Sequence, residues 1–166
     1  MSIKLWQIID ASGSMAENAK RLIVRETLRT ISQYVNYNSY DIELHYILVG
    51  NDVKIIDASL ERTYPDAFFE LGTGFDVKGL VEKLATLDGC FLFLTDCSWG
   101  HSIVSTLRKW KDKLPPKMVK IIQVVPGILR LQRDFDSYLS EDAIAALDDW
   151  LDKTEPQTTE EDKDEW

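Results

Sequence analysis

The chain has 166 residues, 45% of them hydrophobic and 28% charged, a length that fills one domain with a sizeable core. No apolar run is long enough to cross a bilayer, and residues 1–5 (Met-Ser-Ile-Lys-Leu) lack the pattern of a secretory leader, so a cytoplasmic protein is expected. The net charge of −9 is uneven: residues 1–133 hold 17 basic and 15 acidic side chains, residues 134–166 hold 2 and 13, a balance that argues against nucleic acid as a partner.

Residues 3–10 are apolar at nearly every position, the pattern of a parallel strand buried on both faces. Met15 to about Tyr37 reads as a helix, with Ala16, Ala19, Leu22, Ile23, Ile31, Tyr34 and Val35 at three- and four-residue spacings. Asp41 to Val49 is a second strand, Gly50-Asn51-Asp52 a turn, and Val53 to Ile56 a short antiparallel strand at a sheet edge. Residues 57–74 form an irregular connection that closes on Gly72-Thr73-Gly74, and connections of this length are often functional. Asp76 to Leu87 is the next helix, and Gly89 to Thr95 a Phe- and Leu-rich strand ending at Asp96.

Ser102 to about Lys113 is a helix stopped by Pro115-Pro116, and Val119 to Val125 a buried strand closed by Pro126-Gly127. Ser140 to Leu151 is the last helix, capped by Ser140, with Ala143, Ile144, Leu147 and Leu151 facing inward. Only Asp134 to Leu139 remains for a sixth strand. Residues 1–153 make the domain, and 154–166 a polar, acidic, disordered tail that ends in Trp166. Strands alternating with helices imply right-handed βαβ units. The expected class is α/β: a mostly parallel central sheet, one antiparallel edge strand and helices on both faces.

The chemistry concentrates in Asp10-Ala11-Ser12-Gly13-Ser14, a carboxylate and two hydroxyls in one turn at the carboxyl end of a strand. Hard oxygen donors of this kind suit Mg²⁺ or Mn²⁺. In an open α/β sheet, ligands sit outside the carboxyl ends of the strands. With parallel strands, Asp10, the Thr73 loop and Asp96 share that edge. An N-cap cluster would explain Asp10 and Ser12 alone but leaves Thr73 and Asp96 without a role.

D-x-S-x-S, then a distant Thr, then a distant Asp after a hydrophobic strand resembles the von Willebrand factor A family and its metal-ion-dependent adhesion site. The resemblance covers about residues 3–127. It implies a three-layer, Rossmann-like fold and a metal site of Asp10, Ser12, Ser14, Thr73 and Asp96 holding Mg²⁺, or Mn²⁺ or Ca²⁺, with one position open for a partner's carboxylate. The first helix would add a favourable dipole for the incoming anion. The residue after Asp96 is usually glycine in the family and is Cys97 here.

The resemblance further implies a small, stand-alone, bacterial-type intracellular member that binds a protein through an Asp or Glu. Such members often serve a MoxR-type AAA+ ATPase, or kinase and phosphatase partners in stress or defence systems. A membrane is not an expected partner. The alternatives are a Mg²⁺-dependent hydrolase or phosphatase and a metal-independent scaffold. A non-enzyme is the expectation: Ser12 stands where a haloacid-dehalogenase-type phosphatase needs a second Asp, and no G-x-S-x-G elbow occurs.

Cys90 and Cys97 bracket one strand, about 20 Å or more apart by the rise per residue, so they cannot pair. Cys90 reads as a core residue, and Cys97 as a neighbour of the site. His45 and His101 lack a second ligand at metal spacing and read as structural or surface residues. Trp99 is either an interface anchor on the site's rim or a ring packed over its loop. Arg108, Lys109, Lys111, Lys113, Lys117 and Lys120 read as a solvated basic face that could receive the acidic tail or an acidic partner.

Overall fold

The computed structural model describes residues 2–17, 19–56, 74–125 and 135–151. Six strands form one sheet: β1 (Ile3–Asp10), β2 (Ile42–Val49), β3 (Val53–Ile56), β4 (Cys90–Thr95), β5 (Val119–Gln123) and β6 (Asp136–Leu139). Their spatial order is β3-β2-β1-β4-β5-β6, and only β3 runs antiparallel, against β2. The four described helices are α1 (Lys20–Tyr37), α2 (Val77–Leu84), α3 (His101–Lys111) and α4 (Ala143–Leu151). This is the expected α/β architecture, and the stunted candidate at residues 134–139 does form the sixth strand. The expected tail at 154–166 and the connection 57–73 lie outside the described residues.

The period-2 alternation of the strands sorts the core into two halves. Leu5, Ile9, Leu44, Tyr46, Leu48, Leu92, Leu94 and Ile122 meet α1 and α4 on one face of the sheet. Trp6, Ile8, Ile47, Val49, Phe91, Phe93, Val119 and Ile121 meet α2 and α3 on the other. Strands covered on both faces have no polar side to show, which is why β1, β4 and β5 are near-continuous apolar runs.

The chain leaves β1 through α1 to reach β2 on one side, then returns through α2 to place β4 on the other side of β1. The strand order therefore reverses between β1 and β4. A crevice opens at such a switch point because the two connections diverge from it. Asp10 is the last residue of β1, and Asp96 directly follows β4.

Three expectations need correction. The first helix starts at Lys20 rather than Met15: Gly13–Ala16 is a separate 3₁₀ turn, and Ala19 adopts a left-handed φ of 61° just before α1. The dipole of the long helix is therefore displaced from the Ser12–Ser14 turn, and the expected gain for an anion there falls away with distance. The buried stripe of α1 is Lys20, Val24, Thr27, Leu28, Ile31 and Val35; Ala16, Ala19 and Leu22 are exposed. Ser140 is not at the edge of the last helix but opens a 3₁₀ turn, Ser140–Asp142, that leads into α4.

Lys120 also departs from the expected basic face. It is fully buried on β5, donating to the Ala146 carbonyl at 2.5 Å and to Asp149 Oδ2 at 3.0 Å, with the Trp150 ring 4.9 Å away. It ties α4 to the sheet. His45 stacks on Trp6 with ring centroids 4.4 Å apart, and His101 is the exposed first residue of α3, as a structural and a surface histidine would be.

Candidate metal centre

The tight turn after β1 and the loop after β4 meet over the switch point. Asp10 is 2% exposed. Its Oδ1 accepts the Ser12 amide at 2.9 Å, an Asx turn that folds residues 10–12 back on themselves. Its Oδ2 accepts the Thr95 hydroxyl at 2.5 Å and the Trp99 indole N–H at 3.2 Å. Asp96 is built alike: Oδ1 accepts the Ser98 amide at 3.0 Å, and Oδ2 accepts the Lys20 ammonium at 2.9 Å. Met15, buried beneath the 3₁₀ turn, accepts the Asp96 amide on its sulfur at 3.2 Å and so joins the two loops.

Ser12 and Ser14 are half-buried above these carboxylates. The Ser12 and Ser14 side chains lie beside Asp10 and Asp96, where each acts to lower its neighbour's pKa. Four of the five predicted donors thus converge. Thr73 lies outside the described residues. Its neighbour Gly74 donates its amide to Asn51 Oδ1 at 2.8 Å, and Asp76 donates its amide to the Gly50 carbonyl at 2.8 Å. Both anchors belong to the turn that follows β2, whose last residue Val49 pairs with Asp10.

The two carboxyls titrate in opposite directions. Burial pushes Asp10 above the ordinary carboxylate value, against the hydrogen bonds of Ser12 and Thr95, and the charge of Asp96 adds to the rise. Burial also acts to raise Asp96, but the Lys20 hydrogen bond, the Ser98 amide, the Ser14 hydroxyl and the Lys20 charge together carry it below that value. Cys97 is buried rather than accessible, and burial beside Asp96 and Asp10 pushes its thiol up to about 12. It adopts a left-handed φ of 61°, a conformation that glycine reaches without strain.

Two aspartates and two serines are a hard-oxygen set of the kind a small divalent cation takes. One of its carboxylates, Asp96, is paired with the Lys20 ammonium at 2.9 Å. The residues fit such an ion in kind, while the oxygens of both carboxylates accept protein donors and no three acidic, His or Cys side chains cluster among the described residues.

Sequence reasoning missed Lys20, Thr95 and the indole bond of Trp99. Lys20 had a signal: it occupies the first position of an otherwise mostly apolar buried stripe on α1, where an ammonium is tolerated only with a partner. Thr95 reads as one more β-branched strand residue. Trp99 settles as a packed ring, half-buried against Phe75 and Phe93, with its N–H turned to Asp10.

Comparison with protein-family models and with curated proteins finds no match to this sequence. Solved structures do resemble the fold. One is manganese-loaded TRAP protein of Plasmodium vivax, with 12% identity over 88% of this chain and 72% of that one, at a TM-score of 0.57. Another is the pilus adhesin SpaC of Lactobacillus rhamnosus GG, with 11% identity over 92% of this chain and 30% of the adhesin, at 0.58. A third is proximal thread matrix protein 1 of the mussel byssus, with 14% identity over 88% of this chain and 44% of that one, at 0.50. At these identities the likeness is one of fold, and the fold is von Willebrand A-like.

Proposed function

We propose that the protein is a divalent-metal-dependent interaction module. The observation that carries this reading is the convergence of Asp10 and Asp96 with Ser12 and Ser14 at the switch point of a von Willebrand A-like sheet. Asp10, Ser12, Ser14, Thr73 and Asp96 would hold Mg²⁺, Mn²⁺ or Ca²⁺, and a structural neighbour was solved with manganese. Bound there, the ion supplies an electrophilic centre for a carboxylate from a partner protein. Two carboxylates nearly neutralise a divalent charge, and the neutral hydroxyls of Ser12 and Ser14 leave room for a third anionic ligand. Ser12 and Ser14 are the half-buried members of the set, so a partner would approach past them.

Binding rather than catalysis is the function we assign. Among the described residues neither histidine hydrogen-bonds a serine or a site carboxylate: His45 contacts Trp6 and Glu43, and His101 is the exposed first residue of α3. No helix among the described residues is long and apolar enough to cross a membrane. We assign the protein to the cytoplasm, in keeping with two buried free cysteines. The proposed partner presents an Asp or Glu, with a MoxR-type AAA+ ATPase or a kinase or phosphatase system as the classes to try first.

A thermal melt of the wild type, Asp10→Ala and Ser12→Ala in EDTA, Mg²⁺ and Mn²⁺ tests the reading. At an ion concentration 100 times the dissociation constant, mass action adds about 2.7 kcal/mol to the wild type. The expected result is a metal-dependent rise in melting temperature that both variants lose while remaining folded. Identical melts in all three solutions would sink the metal site.

A second reading has one observation in its favour. Both site carboxylates are already satisfied by protein donors, Asp10 by Thr95 and Trp99 and Asp96 by Lys20 and Ser98. A surface that binds its partner without metal would look the same. Melts indifferent to metal, together with partner capture in EDTA, would select that reading.

A further inference from the structure

Lys20 is the feature of the site that the donor pattern does not require. It opens α1 directly after the left-handed Ala19, and its side chain runs back under the Ser12–Ser14 turn rather than out to water. It is 8% exposed, with its ammonium 3.0 Å from the Ser14 carbonyl and 2.9 Å from Asp96 Oδ2. Its helix neighbours on the same stripe, Val24, Thr27 and Leu28, face the core. Burying an ammonium among such residues is costly unless it is paired, and this one is paired with a carboxylate of the candidate metal set.

A dication on Asp96 and the Lys20 ammonium would contend for one carboxylate, at separations where like charges in a partly dehydrated site repel strongly. Charge balance points the same way. Asp10 and Asp96 carry two negative charges when ionised, and a divalent ion balances both without the lysine. The lysine arm has the length and rotatable bonds to leave for solvent once its partner is taken.

We propose that Lys20 is a tethered counter-cation: it neutralises Asp96 while the site holds no metal, competes with a divalent ion for that carboxylate, and swings out when the ion loads. The inference rests on the metal reading above and adds a residue that sets the ion threshold. Metal affinity in the wild type is then weaker than the donors alone would give, and the fold keeps its switch point intact between loading events. Lys20 acts through Asp96 and is a positioning residue rather than a ligand.

The test compares wild type with Lys20→Met by calorimetric titration with MnCl₂, and both by melts in EDTA. Lys20→Met should bind Mn²⁺ about tenfold tighter or more, within the range of ordinary coupling between two mutually exclusive ligands. In EDTA the same variant should melt lower than the wild type, and adding Asp96→Asn should recover part of that loss. If Lys20→Met is too unstable to titrate, Lys20→Gln gives the same comparison, since it keeps a donor and loses the charge.

Binding by the variant alone is the extreme form of the expected result. Unchanged or weaker Mn²⁺ binding by the variant overturns the competition and leaves the metal reading standing. No binding by either protein overturns both. An unchanged melt in EDTA overturns the counter-cation role independently of any metal.

Discussion

Asp10 and Asp96 share the same Asx geometry, yet they sit on opposite sides of the ordinary carboxylate value. Burial, the deeper at Asp10, prevails there, whereas at Asp96 the hydrogen bonds of Lys20, Ser98 and Ser14 and the Lys20 charge outweigh it. Asp10, Ser12, Ser14 and Asp96 were legible in the sequence because each stands at a strand end or in the turn that follows, positions that a buried apolar run makes easy to find. The residues that satisfy them were not legible. A lysine early in a helix reads as solvated, and a Thr closing an apolar strand reads as part of its core. Cys97 carries a consequence of its own. A thiol held near 12 and buried is almost wholly protonated at neutral pH and cannot be reached by a reagent. Under native conditions, both cysteines should resist a thiol-specific disulfide reagent at mildly alkaline pH and react at the rate of unfolding. Stoichiometric labelling of the folded protein would contradict this account of Cys97.

At the scale of elements, the strands were easier to read than the helix starts. Strand boundaries follow from apolar runs that end in Gly, Asp or Pro, and the observed ends fall close to those signals. The start of α1 did not follow, because Met15, Ala16 and Ala19 fit a helical period although Ala19 turns left-handed and breaks it. β6 was hard to foresee because its four residues are polar or half-exposed, and its pairing with β5 comes from tertiary placement. Two predictions belong here. Gly89 leads into β4 at a φ of 131°, and a Cβ there would collide with the Lys4 carbonyl on β1. Gly89→Ala should therefore lower stability by more than about 2 kcal/mol, read from the urea midpoint. The Lys120 tie makes a prediction in acid. Its hydrogen bond and charge hold Asp149 below the ordinary carboxylate value. The resulting stability is complete above that ordinary value and is lost as pH falls through the lowered one. Asp149→Asn should lose that part of the acid dependence, so that the wild type and variant converge in acid and diverge toward neutrality in urea melts.

At the scale of the whole molecule, alternating strands and helices gave the class, and the one antiparallel edge strand followed from the short Gly50–Asp52 turn. The division of the helices between faces could not be read locally, because apolar runs buried on both sides carry no mark of which side meets which helix. Both halves of the core reach the site: Met15 belongs to the half packed with α1 and α4, and Cys97 and Trp99 to the half packed with α2 and α3. One of these side chains is an indole. The chain has five tryptophans, and Trp99 has its N–H on a candidate ligand carboxylate, while Trp6 and Trp150 donate to backbone carbonyls. Indole emission responds to the charge and polarity bonded to that N–H. Whatever takes Asp10 Oδ2 must disturb this bond, so the protein carries a built-in fluorophore whose colour and intensity report the occupancy of its own site without any added label.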